Sequence, residues 1–396
     1  MNASLLVRNV RPLGGPAVDV SVVDGRFAAF GAGLSPAPGA TTVDGRGLLM
    51  LPGLVESHTH LDKTLWGQPW RPNTAGPALR DYIENERRVL AASPVPAAER
   101  ARRLVRQFIA TGTTHIRTHV DVDPDTGLVS VEALLQVREA HRDSVGLEIV
   151  AFPQQGMLIR PGTAELMERA IGMGVETVGG IDPAGIDNDP IGHLRIVFGI
   201  AERTGCGVDI HLHDGGQLGA WEIERIVAFT RAAGLAGRVM VSHAYCLGEI
   251  PQGQMEGIGR GLADQRIALM TSAPADGAIP PVAALRAMGV AVCCGSDGIR
   301  DAWSPFGNAD MLERAMLLAY RFYWAKDEEL AAALATVTTD AATALGLADY
   351  GLAPGRHADF VLVDAETVGE AVVARPQRAL AARRGRITAR DGKAAA

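Results

Sequence analysis

His58 and His60 stand two residues apart directly after an apolar run, residues 48–55. In an extended strand, side chains two apart share a face, so both imidazoles can reach one metal ion from a strand end. A solvated pair of histidines would satisfy the same spacing, but the chain holds further ligands. His211 and His213 repeat the pattern, and Asp297 follows Gly295-Ser296 after another apolar run. His58, His60, one of His211 or His213, and Asp297 make a metal shell of imidazole nitrogen and carboxylate oxygen. That donor set suits zinc, or iron of similar geometry. His211 lies deeper in its strand and is preferred as the ligand, which leaves His213 for substrate or proton contact. An ion so held keeps a position for water, whose acidity it raises toward neutrality.

Other residues could complete the chemistry. His243 closes the apolar run 239–241 and could hold the water and move its proton. Asp297 could serve as ligand and proton shuttle together. Asp214, beside His213, could be a base, or could cap a helix or orient a histidine. Lys63 follows His60 by three residues on a loop, where lysines are mostly solvated. Gln154 follows Phe152-Pro153, and its amide can donate and accept at once toward a ring with mixed donors and acceptors. Trp66 and Trp303 could wall a flat pocket, although core packing would serve either equally.

These positions need a scaffold that gathers strand ends. Strand-like segments at 114–120, 147–152, 177–181, 207–213, 239–243, 267–270 and 290–295 join the one before His58 to make eight. Amphipathic helical stretches at 97–110, 131–142, 163–173 and 219–233 lie between several of them, and 306–346 is a helical close. Eight strands alternating with helices predict an α/β fold, a (β/α)8 TIM barrel. His58, His60, His119, Gln154, Asp182, His211, His213, His243 and Asp297 all fall at or just past strand C-terminal ends, the chemical face of that architecture. Both chain ends are β-rich. Segments 5–10, 18–23 and 26–30, with a hairpin turn at Asp24-Gly25, are matched by 357–364 and 385–389. Neither end suffices alone, so they are expected to pair into a small β-sandwich domain. The expected division is 1–52 and 348–396 for that domain and 53–347 for the barrel.

Composition narrows the class. The chain has 396 residues, enough for a barrel with additions. Its net charge of −7, with both signs mixed along the chain, gives no basic stripe for nucleic acid. Four cysteines without a C-x-x-C spacing argue against a disulfide framework and for a reducing, cytoplasmic setting. No apolar run is long enough for a membrane span, and the N-terminus does not read as a signal peptide. The short alanine tail at 394–396 is expected to fray.

Several segments together resemble the amidohydrolase superfamily, and within it the cytosine deaminase-like branch. They are residues 52–63, 117–123, 150–156, 242–244, 296–298 and 300–308, and the similarity runs through nearly the whole chain. The resemblance implies a metal on His58, His60, His211 and Asp297, with His243 positioning water. Lys63, Gln154, His213 and Trp303 would meet the ring or the leaving group. Two-metal members bridge their ions with a modified lysine at the fourth strand's end; residues 177–183 hold none, which favours one ion. Cytosine deaminases carry Glu at the position of Asp214 and an acidic residue at that of Gly298. Both departures weaken a cytosine assignment. The His-x-His-Asp pattern at 211–214, with residues 178–184, 242–246 and 305–311, is more similar to the s-triazine members. Those members carry Asn where this chain has Gly298, and the missing side chain suggests more room there. The implied activity is hydrolysis of an exocyclic C–N bond on a pyrimidine- or triazine-like ring, releasing ammonia or an alkylamine from a small-molecule substrate. Cytosine deamination proper, ring opening by a cyclic amidase, and a metal-containing binding protein without catalysis are the alternatives. Homo-oligomers are common in such enzymes.

Overall fold

The computed structural model of the protein describes residues 4–76 and 79–395. Asn2, Ala3 and Ala396 therefore lie outside the described residues. Eight parallel strands pair in chain order: Leu54–Thr59, Thr113–Asp121, Gly146–Phe152, Thr177–Ile181, Gly207–Leu212, Val239–His243, Ala268–Thr271 and Val292–Cys294. An isolated parallel bridge between Thr59 and Asp297 brings the last strand's loop back to the first strand. Asp297 N–H donates to the His58 carbonyl at 2.8 Å, and Thr59 Oγ1 donates to the Asp297 carbonyl at 3.0 Å.

Helices cover the strands because each has one apolar face. In Ala97–Ala110, Ala101, Leu104, Val105 and Phe108 are buried at helical spacing. The helix Pro190–Thr204 went unnamed in the sequence reading, although its signals were present. Asp189 caps Gly192 N–H at 2.8 Å, Pro190 opens the first turn, and Gly205 ends it at φ +73°. A further helix, Leu79–Ala91, lies on the connection between the first two barrel strands. Met311–Phe322, Asp327–Ala335 and Thr339–Ala344 form the helical close.

The second sheet is built from both chain ends. Leu49–Pro52 pairs antiparallel with Phe360–Val363 in register Pro52 to Phe360, and the first and last strands extend the sheet on either side. Val7, Val20, Phe27, Met50, Phe360 and Leu362 pack as its own core. The single apolar run 48–55 of the sequence thus serves two sheets. The break falls at Gly53, whose N–H donates to the Asp359 carbonyl at 2.9 Å. A Cβ there would lie 2.5 Å from Thr114 Cγ2, so the tight passage between the sheets needs glycine. All four cysteines are buried and free. Among the described residues no helix is long and apolar enough to cross a membrane.

Candidate active site and metal centre

The strand ends converge on a cluster of imidazoles. His58, His60, His119 and His211 are all buried, with ligand atoms within 4.8 Å of one another, and His58, His243 and Asp297 form an overlapping group. Asp297 Oδ1 lies 3.7 Å from His58 Nε2 and 3.3 Å from His60 Nε2. Those separations match ligands sharing one ion through bonds of roughly 2.0–2.2 Å. His58 Nε2, His60 Nδ1, His243 Nε2 and both ring nitrogens of His211 are buried without a hydrogen-bond partner. Burial first, then the neighbouring His119 and His58 respectively, holds His58 and His211 well below the usual histidine range. His60 and His243 are each pushed down to about 3, by burial and then by Lys63 and His213 respectively. Neutral, desolvated imidazoles with unused lone pairs beside a carboxylate are a donor set that a divalent cation completes.

A buried polar layer beneath the cluster fixes its tautomers. Ser242 Oγ donates to Asp209 Oδ1 at 2.7 Å and sits 3.0 Å from His58 Nδ1. The hydroxyl's one proton goes to Asp209, so its oxygen accepts from Nδ1–H and His58 Nε2 is left bare. Asp209 also pairs with Arg117 at 3.1 Å, and His119 Nε2 lies 3.5 Å away. Arg117 reaches Glu148 with its other arm at 2.8 Å. Burial alone would raise Asp209, but His119 and Arg117 outweigh it and hold the carboxyl below its ordinary value. Sequence reasoning missed Asp209, Arg117 and Ser242. Period two was the available signal, since 117 and 209 precede 119 and 211 on the same strand faces.

His211 sits within the cluster and stacks on Phe152 at 4.1 Å. His213 leaves the strand, which ends at Leu212, and its ring centroid is 6.0 Å from that of His211. Asp182 captures it, accepting from His213 N–H and standing 2.8 Å from Nδ1. This pairing overcomes burial and raises His213 above its ordinary value. The His243 ring lies 4.3 Å from that of His213, and Tyr245 OH is 3.2 Å from His243 Nδ1. His243, Asp182 and Asp297 hold positive φ of 74°, 30° and 60°. Non-glycine residues adopt that region only where surrounding contacts enforce it.

The cluster faces a cavity of about 420 Å³. Phe152, Ile181 and Trp303 give it apolar walls, and Lys63, Gln154, His213, His243, Asp297 and Asp301 its polar ones. Lys63 is buried rather than solvated. It hydrogen-bonds Gln154 Oε1 and pairs with Asp121 at 2.9 Å and Glu86 at 3.6 Å. Burial would lower Lys63, but Asp121, Glu86 and Asp62 overcome it and raise it. Gln154 Nε2 donates to Glu86 Oε1 at 2.8 Å. Lysine only donates and a carboxylate only accepts, so the amide's orientation is set and both its ends are engaged by protein. Gln154 nevertheless lines the cavity, with its orientation fixed. Glu86, unseen by sequence reasoning, also accepts from Trp303 Nε1, and Tyr82 stacks on Trp303 at 5.3 Å.

Three expectations shift. Asp214 does not line the cavity; its carboxylate accepts from Gly185 N–H at 2.9 Å and lies against Glu222, which stiffens the rim. Trp66 is not in the wall and instead holds Arg300 over its ring at 4.7 Å. The space opened by Gly298 is taken by Asp301, whose Oδ2 lies 2.2 Å from where a Cβ would stand. Burial first holds the Asp301 carboxyl up at about 6.

Comparison with known proteins accords with this geometry. The amidohydrolase family matches residues 41–396. N-isopropylammelide isopropyl amidohydrolase of Pseudomonas sp. (strain ADP) is 30% identical over 360 residues, 88% of this chain and 88% of that protein. The crystal structure of N-isopropylammelide isopropylaminohydrolase from Burkholderia multivorans ATCC 17616 superposes with a TM-score of 0.96 at 46% identity, covering 99% of this chain and 100% of that one. A 5-methylcytosine deaminase from Klebsiella pneumoniae superposes with a TM-score of 0.85 at 29% identity, covering 98% and 97%. Barrel, sheet of both chain ends, strand-end histidine cluster and these likenesses agree: the chain belongs to the amidohydrolase family.

Proposed function

We propose that this protein is a metal-dependent hydrolase that cleaves an exocyclic C–N bond on a pyrimidine- or triazine-like ring and releases ammonia or an alkylamine. The observation that carries the reading is the set of partnerless buried imidazoles beside Asp297, facing a cavity walled by Phe152 and Trp303. The likeness to the isopropylaminohydrolase and the deaminase supports the substrate class.

In this reading His58, His60, His211 and Asp297 hold one divalent ion, zinc ahead of iron, and His119 packs beside them. Such an ion, when bound, would supply a water acidic enough to react near neutral pH. His243 Nε2 takes and returns the proton of the attacking water, and Asp297 assists. His213, turned by Asp182, offers Nε2 to the leaving nitrogen. Lys63 contributes positive charge against the ring and, with Glu86, holds Gln154 and Trp303 in place. Asp214 carries no catalytic step, because its carboxylate is spent on Gly185 and Glu222. A cytoplasmic location and a homo-oligomeric state belong to the same proposal.

The test is elemental analysis on a preparation screened for amine release from cytosine, isocytosine, creatinine and N-alkylamino-triazines. About one metal per chain with turnover on any of these supports the reading. Full metal with ring opening and no amine would indicate a cyclic amidase. Tight ligand binding without turnover would indicate a binding protein, and no metal after reconstitution would overturn the ligand set.

A further inference from the structure

The loop after the eighth barrel strand makes room for a carboxylate. A Cβ on Gly298 would lie 2.2 Å from Asp301 Oδ2 and 2.9 Å from its Cγ, so only glycine lets Asp301 lean there. Both residues line the cavity, on the side that also holds Trp303. The two oxygens of Asp301 are used differently. Oδ1 accepts Trp303 N–H and Ser304 N–H, each at 2.8 Å, in a side-chain-closed turn. Every hydrogen bond that this carboxylate accepts from the described residues ends on Oδ1. Oδ2, lying against Gly298, is the anionic acceptor left over on a residue that lines a substrate-sized cavity. Such an atom gains from a ring N–H and is repelled by a ring nitrogen lone pair.

We infer that Asp301 determines specificity: its Oδ2 accepts a hydrogen bond from a ring N–H, so the site selects lactam-type azines, with N–H beside carbonyl, over aromatic azines whose ring nitrogens only accept. The inference rests on the heterocycle reading of this site and narrows its substrate class. Asp301→Asn is the informative variant. Asparagine keeps Oδ1 for the Trp303 and Ser304 N–H groups and turns the remaining atom from acceptor to donor. Gly298→Ala should act alike with Asp301 intact, because the new methyl displaces Oδ2.

Equilibrium binding keeps the test apart from catalysis. Isothermal titration of the metal-loaded protein with cyanuric acid, which carries N–H at each ring nitrogen, is compared with its tri-O-methyl ether, whose ring nitrogens only accept. Wild type should prefer cyanuric acid, and both variants should bind it about 10- to 100-fold more weakly. Their affinity for the ether should hold or improve, with melting temperature and metal content retained by Asp301→Asn. Equal losses on both ligands, no loss, or no binding of cyanuric acid by the metal-loaded wild type would each overturn the inference. Amine release is scored separately. Wild type that binds as described but releases no amine keeps the inference and loses the proposed activity. Wild type that releases amine while Asp301→Asn is indifferent loses only the inference.

Discussion

The backbone N–H of Asp297 donates to the carbonyl of His58 at 2.8 Å, so the seam that closes the barrel and the centre of the candidate metal site are one structure. Glu56 reinforces the seam from below, accepting from His58 N–H at 3.0 Å and Ser296 N–H at 2.9 Å. The candidate ligands at the end of the first strand and in the loop after the last are thereby held at fixed separation without an ion, which lowers the ordering cost of binding one.

Metal removal should therefore weaken the fold as well as stop turnover. A ligand present at about 100 times its Kd stabilises by about 3 kcal/mol. Chelation should lower the melting temperature by several degrees and zinc should restore it. A melting temperature indifferent to chelation of a verified holoprotein would remove the ion from the seam.

His243→Ala should cut turnover by roughly 10²- to 10⁴-fold, the usual contribution of a positioned proton carrier. Metal content should stay near wild type, because His58, His60, His211 and Asp297 remain. The check is kcat alongside elemental analysis of the same sample; retained activity would sink the assigned role.

Asp182→Asn should lower kcat by roughly 10- to 100-fold, in line with loss of a group that orients a functional histidine. Asn keeps an acceptor for the His213 and Asp214 N–H groups but gives up the charge that holds His213 Nδ1. A rise in KM alone would instead place His213 in ground-state binding.

Stability should also depend on pH through Glu222. Burial first, and then the Asp214 charge, holds its carboxyl up at about 8, against an ordinary 4.5. Between those values the folded state binds more protons than the unfolded one. Stability from this group is complete below pH 4.5 and is lost as pH rises through about 8. Glu222→Gln retains a donor toward Asp214 and an acceptor for Ala184 N–H, so its melting temperature should fall less steeply between about pH 5 and pH 9. Parallel curves for the two proteins would exclude Glu222 as the titrating group.

Local pattern carried much of the protein. Period two placed His58 with His60 and put His211 on its strand, and the alternation of apolar runs with helical stretches specified the barrel, because both signals depend only on neighbours in the chain. The tertiary structure decided what depends on partners far away. Asp182 turns His213 aside from His211, and Gly185 with Glu222 draws Asp214 away from the cavity. Glu86, on the helix Leu79–Ala91, becomes the buried hub for Lys63, Gln154 and Trp303. Asp301 fills the space that Gly298 leaves. A charged side chain carries no mark in sequence of whether it faces water or a buried partner. Folding makes that choice, because a desolvated charge persists only where an opposite charge or a hydrogen bond meets it.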